Sequence, residues 1–334
     1  MAENYDIDFV IPWVDGSDPD WLAEFNRYAP SDKTLDARNI RYRDYDLLRY
    51  WFRGIEKFAP WVRRVHFITC GQKPDWLNLG ASKLHWVQHS DYIPAEYLPV
   101  FSARPIEVSM HKIDGLSEHF VYFNDDFFLT NFVTKGFYFK NEKPRDGAIQ
   151  EIKDSSGALT MLAVNFNNLN LINRCFSKRE VMRKNFFKWF SPAYGYQLWR
   201  NLSLLPWPKF CGFINPHAPQ PFLKSTFEEV WQACPQELEA TMRQRFRSPN
   251  GVNQWLFRHW ALCSGTFAPT HPTKDRRCFD LTDNNAEEIA GLIRKQAYKE
   301  IIINDSEIED FDAAMGKIRA AFDEILPEKS AFEV

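Results

Sequence analysis

The groups best suited to chemistry in this chain stand in a triplet, Asn124-Asp125-Asp126, directly after the apolar run Phe120 to Phe123. Paired carboxylates at a strand end suit a hard cation, Mg²⁺ or Mn²⁺, that bridges diphosphate oxygens. The same pair in a turn serves equally well as a solvated cap. Glu107 and His111 are four residues apart in a stretch expected to be helical, so they share a face and either point into one cleft or form an exposed intrahelical pair. His217 lies in Asn215-Pro216-His217-Ala218-Pro219, where the prolines fix the backbone and hold the imidazole in a loop. Near a cleft, such a histidine can act as general base on a hydroxyl at neutral pH. Arg247 either neutralises a transferred phosphoryl group or, at a basic helix end, faces its own carbonyls.

From Arg38 to Arg64 the chain carries eight basic and three acidic residues, a local charge of +5. Guanidinium matches phosphate oxygens bidentately, and Arg41 and Arg43, just ahead of a helix, are the best placed to use this; the rest read as a solvated helix face. The whole chain has a formal charge of only -3, and with no recognisable module this gives no reason to expect nucleic-acid binding. Its six cysteines are widely spaced without a Cys-x-x-Cys pair, which fits a reducing compartment and argues against zinc. Neither a signal sequence nor an apolar run of about 20 residues occurs, so the expected location is cytoplasmic. Peripheral attachment to the inner face of the plasma membrane stays open.

The elements that must position these groups follow from pattern. Residues 7 to 14 (IDFVIPWV) are a β-prone run that delivers Asp15 to a strand's carboxyl end. Asp44 can cap a helix with apolar positions Leu47, Leu48, Trp51, Phe52, Ile55 and Phe58, closed by Pro60. Strands are expected at Val65 to Thr69, running into Gly71, at Leu84 to Val87, and at Phe120 to Phe123, the last preceded by a helix from about Pro105 to Gly115. Strand alternating with helix predicts an α/β fold with a mostly parallel sheet, and ligands in such sheets lie outside the carboxyl ends of the strands. Residues 1 to 135 thus read as a nucleotide-binding half. Residues 136 to 334 read as a mainly helical part that completes the site within one integrated catalytic domain. Ser225 with Glu228, and Ser306 with Glu309, match the capping box at helix starts. Ile308, Phe311, Met315, Ile318, Phe322 and Ile325 form the core stripe of a last helix. The aromatic, proline-rich stretch from Phe186 to Phe222 is expected to wall the site.

Four blocks of the chain together resemble the Stealth family, which includes bacterial capsular polysaccharide phosphotransferases and the catalytic part of N-acetylglucosamine-1-phosphotransferase. They are IDFVIPWVDGSDP (Ile7 to Pro19), Arg41 to Leu77 continuing through Phe101 to Leu129, Asn215 through Arg247 to Trp260, and CFDLTDNN (Cys278 to Asn285). The resemblance implies that a nucleotide sugar, commonly a UDP-linked hexosamine such as UDP-GlcNAc, is attacked at its sugar-bearing phosphate. A sugar hydroxyl of a growing polysaccharide would be the attacking group, with a phosphodiester formed and the nucleoside monophosphate released. It marks Glu107, Asp126, His217 and Arg247 as catalytic. Asp15, Asp18, Asn124, Asp283 and Asn284 join Arg41 and Arg43 as substrate-binding positions. In this reading Asp126 holds the divalent ion with help from Asp125 or Asn284, and His217 or Glu107 is the base. The implied partners are the donor, an oligosaccharide or polysaccharide acceptor, and membrane-bound capsule-assembly machinery. Two rival readings remain: a metal-dependent glycosyltransferase releasing UDP, and a non-catalytic carbohydrate-binding protein built on aromatic platforms.

Overall fold

The computed structural model describes residues 5–29, 45–153, 159–304 and 308–334. Its strands are β1 (Ile7–Pro12), β2 (Val65–Thr69), β3 (Leu84–Gln88), β4 (His119–Tyr122), β5 (Phe127–Leu129), β6 (Phe139–Lys140), β7 (Lys143–Asp146), β8 (Gln220–Leu223), β9 (Ala268–Pro269), β10 (Arg276–Asp280) and β11 (Glu300–Asn304). The central sheet has the order β3-β2-β1-β4-β8. Its first four strands are parallel and β8 is antiparallel to β4. The fold is therefore α/β with a mostly parallel core, as the alternation of elements predicts.

A parallel sheet covered on both faces needs strands that are apolar throughout. In β1, Ile7, Phe9 and Ile11 enter one core while Val10 enters the other. Phe67 and Ile68 divide in the same way, as do Val121 and Phe120. This is the two-residue alternation of an extended chain. The first core is closed by the helices Leu48–Phe58, Ala286–Arg294 and Phe311–Ile325, and the second largely by Leu159–Cys175 and Trp255–Ser264. Asp8 is the polar exception in β1. Its buried carboxylate takes Arg63, His66 and the Ser117 amide as partners, which satisfies a charge that burial alone would penalise.

A smaller sheet, β10-β11-β5, adjoins the central one through the turn between β4 and β5. Residues from both sides of position 135 build it, since β5 pairs with β11. The first core likewise runs from Ile7 to Phe332.

Several local expectations change. The first strand ends at Pro12 rather than residue 14. The helix expected at Pro105 to Gly115 spans Ala103–Ser109, because Ser102 caps it and it tightens into a 3₁₀ turn over Met110–Lys112. Ser225 caps no helix: its hydroxyl donates to Glu118 at 2.5 Å, a long-range partner that wins over the local box. Asp44 and Ser306 lie outside the described residues, and the last helix is capped by Asp310, whose carboxylate accepts the Ala313 amide at 3.0 Å. Among the described residues of the basic run, Arg49 and Lys57 are exposed as expected, but several members hold other parts of the chain. Arg53 forks onto Glu333, Lys57 donates to the Ile325 carbonyl at 2.7 Å, and Arg63 holds Asp8.

Candidate functional site

The carboxyl ends of β1 and β4 open onto a cavity of about 180 Å³. Trp13 and Val14 come to it from β1, Asn124 and Asp125 from β4, Ser102 and Glu107 from the helix Ala103–Ser109, and Arg247 from a loop. Trp13 is shared with a neighbouring cavity of about 650 Å³, where Asp15, Asp46, Arg49, Lys73 and Trp76 also stand. The turn that supplies Lys73 depends on Gly71, whose φ of 111° is open to glycine but strained for other residues. Beyond it, Gln72 accepts the Asp15 amide at 3.0 Å and donates to the Asp18 carboxylate at 2.8 Å.

Glu107 is wholly enclosed. The Tyr122 hydroxyl donates to it at 3.1 Å and the Gln254 amide at 3.3 Å. Burial pushes its carboxyl up from the ordinary range, opposed by those two donors and by Arg104 and Arg247. Tyr122 is pushed well above its ordinary value by burial and by Glu107 beside it, so its hydroxyl stays protonated as the donor. His111 does not share this cleft. The 3₁₀ tightening turns it away to pack against Phe227 and Trp231.

Asp126 points to the other side of its turn. Its Oδ2 lies 3.2 Å from Nε2 of His217, whose ring sits edge-on to Phe127. The His217 side chain is 41 % exposed and so open to an incoming group, while Asp126 is 16 % exposed. Burial pulls the imidazole pKa down, but the Asp126 carboxylate, Asn304 and Asp280 outweigh it, and the net shift is upward. Asp280 and Asn304 are paired neighbours at the ends of β10 and β11, and Asn304 donates to Asp280 at 3.0 Å. Cys278 belongs to the same group. Burial, reinforced by Asp126 and Asp280, pushes its thiol up to about 11, which makes it no nucleophile at neutral pH.

The loop that carries His217 is fixed from below. Arg258, buried and forked onto Asp146, donates to the Ile214 carbonyl at 2.8 Å and to Asn215 Oδ1 at 3.1 Å. His259 meets the same Asn215 oxygen at 2.8 Å.

The structure thus brings together two groups of predicted residues: Glu107, Asn124, Asp125 and Arg247 around the smaller cavity, and Asp126 with His217 across the turn. The peptide between Asp125 and Asp126 joins them. Arg247 lies beyond the helix that ends at Met242, so it does not face that helix's carbonyls. Asp15 lines the larger cavity, whereas Asp18 caps the helix Pro19–Tyr28 through the Asp20 and Trp21 amides. Asp283 accepts the Glu309 and Asp310 amides, each at 3.1 Å, and so fastens the approach to the last helix; Asn284 is exposed beside it. Arg41 and Arg43 lie outside the described residues. Tyr122, Asp280, Asn304 and Lys73 are site-lining residues that the sequence does not single out, and Arg49, expected on a solvated helix face, lines the larger cavity. Asp280 lay inside a quoted block, and Asn304 closes an apolar run, so strand-end position was the available signal. The stretch Phe186 to Trp207 lines neither cavity.

Among the described residues no group of three or more His, Cys, Asp or Glu side chains is placed to hold a metal. Asp126 Oδ1 is nonetheless buried without a hydrogen-bond partner among them. One or two carboxylates with substrate phosphates and water are how Mg²⁺ is ordinarily held, so a single orphaned carboxylate oxygen fits that ion better than a closed protein cage.

Comparison with known proteins matches this chain to Stealth protein conserved region 1 over residues 5–33, conserved region 2 over 41–146 and conserved region 3 over 216–261. The capsular polysaccharide phosphotransferase WcwK of Streptococcus pneumoniae is 38% identical over 338 residues, covering 100% of this chain and 99% of the relative. The receptor polysaccharide phosphotransferase WefC of Streptococcus oralis is 38% identical over 340 residues, 98% of this chain and 99% of its own. The exopolysaccharide phosphotransferase cps2G of Lactiplantibacillus plantarum is 38% identical over 333 residues, 98% of this chain and 96% of its own. Full-length identity at this level, with regions that carry Glu107, Asp126, His217 and Arg247, establishes that the chain belongs to the Stealth family.

Proposed function

We propose that this chain, a polysaccharide phosphotransferase, transfers a hexose- or hexosamine-1-phosphate from a UDP-linked donor to a hydroxyl of a growing capsular or cell-surface polysaccharide. The observation that carries the reading is the contact of His217 with Asp126 at the carboxyl edge of the parallel sheet, one peptide from the cavity of Asp125, Glu107 and Arg247. Ligands of such sheets bind at that edge. Its strongest support from outside the chain is that the relatives are polysaccharide phosphotransferases.

In the reaction, the acceptor oxygen attacks the sugar-bearing phosphorus and forms a new P–O bond. The bond from that phosphorus to the bridging oxygen breaks, and its electron pair leaves with UMP. His217 takes the acceptor's proton: Asp126 engages Nε2, orients the ring and stabilises the imidazolium that forms. Arg247, on the wall of the cavity that Glu107 also lines, neutralises phosphoryl oxygens. Mg²⁺ or Mn²⁺ would be held by the unpartnered Oδ1 of Asp126 with substrate phosphates and water, and would supply charge neutralisation of the diphosphate. Arg49 and Lys73 in the larger cavity offer further cations to the donor.

Incubation with UDP-linked sugars and a short acceptor oligosaccharide, followed by nucleotide analysis, tests the reading. UMP is expected; UDP would establish the glycosyltransferase chemistry instead. Asp126→Ala and His217→Ala are each expected to lower turnover by about 10²-fold or more with the thermal transition retained. Near-normal turnover removes that residue from the mechanism.

A further inference from the structure

The segment from Phe186 to Trp207 is anchored by a few buried groups and turns most of its large apolar side chains outward. Trp189 and Tyr194 are buried anchors. Asn201 donates to the carbonyls of Trp189 and Ala148, both at 2.7 Å, and accepts the Gln150 amide at 2.8 Å. Lys178 donates to the Leu204 and Trp207 carbonyls at 2.5 and 3.0 Å. With the backbone fastened this way, Phe187 is 87% exposed and Tyr196 75%, and Trp199, Leu202, Leu205 and Trp207 are exposed as well. A scattered surface Leu needs no explanation, but this many large apolar side chains within one short segment marks an interaction surface. Each forgoes about 1.5–3 kcal/mol that burial would supply.

Charge indicates what covers it. Between Arg174 and Lys209 stand eight basic residues and one acidic one, Glu180; Lys178 is buried, and Arg174 and Arg200 pair with Glu237 and Glu151. Arg179, Arg183 and Lys184 are exposed and have no carboxylate partner among the described residues. Aromatic and leucine side chains with a cationic surround match the acyl and headgroup layers of an anionic bilayer, where each Lys or Arg adds about 1 kcal/mol of attraction. Phe187, Leu202 and Leu205 offer no hydrogen-bonding group to a sugar hydroxyl and suit an acyl layer better. Among the described residues no helix is long and apolar enough to cross a membrane, so docking would be to one face only.

We propose that the Phe186–Trp207 segment seats the enzyme on the surface of an anionic phospholipid bilayer, with its aromatic and leucine side chains in the headgroup boundary. The proposal stands apart from the transfer chemistry and fails or survives independently of it. Co-sedimentation of the full chain with phosphatidylcholine vesicles, with and without phosphatidylglycerol, is the test. Binding is expected only with phosphatidylglycerol, weakening as salt rises. Phe187→Ser combined with Trp199→Ser, and separately Arg183→Glu combined with Lys184→Glu, should each weaken it by about tenfold or more while turnover on a short soluble acceptor is unchanged. No binding to either vesicle, or equal binding by the variants, overturns the proposal. So does a loss of soluble-acceptor turnover with vesicle binding intact, which would assign the patch to the polysaccharide.

Discussion

His217 and Asp126 lie ninety-one positions apart and meet at 3.2 Å, and the consequence of that contact is a histidine with a raised pKa. A base must be neutral to accept a proton, so kcat/KM should rise with pH through the value that His217 has in the folded enzyme, above the ordinary 6.5. Asp126→Asn removes the charge that holds the imidazolium, and the acidic limb of the profile should then move to lower pH while the plateau falls. A limb that stays in place in this variant excludes His217 as the titrating base. Both residues were legible in the sequence for a physical reason: one follows a strand and the other is held between prolines, so each is tied to a loop at a sheet edge. Asp280 and Asn304 were not. Their approach to His217 arises from the register of two strands separated by a helix, which no local pattern encodes. Asp283 shows why residue type alone does not decide a role, because a turn carboxylate that caps backbone amides looks the same in sequence as one that binds substrate.

The four parallel strands of the central sheet were legible to within two residues because both faces of such a sheet are buried and their composition is nearly continuous, whereas its antiparallel edge strand Gln220–Leu223 and the strands β10, β11 and β5 were not foreseen. Helix ends were less so. Ser225 matches a cap by type, yet Glu118, more than a hundred residues away, takes its hydroxyl. Asp8 shows how one polar residue inside such a strand affects stability. Burial pushes its carboxyl up, but His66, Arg63 and the Ser117 amide outweigh this and lower it from 3.8 to about 2. A depressed carboxylate stabilises the fold above its unfolded value and loses that contribution as pH falls through the folded one. Stability should therefore drop by about 2 kcal/mol between pH 4 and pH 2 on account of this group alone. Urea midpoints measured across that window should fall less steeply for Asp8→Asn than for the parent; equal slopes would contradict the assignment.

At the scale of the whole molecule, the nucleotide-binding half inferred from residues 1 to 135 shares its structure with the remainder. Its central sheet takes an edge strand from Gln220–Leu223, and its first core is completed by Ile289, Ile318, Phe322 and Phe332. A fragment of residues 1 to 135 should then show no cooperative thermal transition by circular dichroism, whereas a sharp transition near that of the full chain would mean the halves fold separately. The shared structure has a functional side. Asp125 and Asp126 come from the early sheet, His217 and Arg247 from the later part, and neither could assemble the site alone. In the proposed reaction the bond broken is P–O and the sugar keeps its anomeric oxygen. A donor carrying ¹⁸O at the bridge between the sugar C1 and phosphorus tests this most directly. Mass spectrometry should find the label in the polysaccharide product, between sugar and phosphate. Label in a released nucleoside diphosphate would contradict the account.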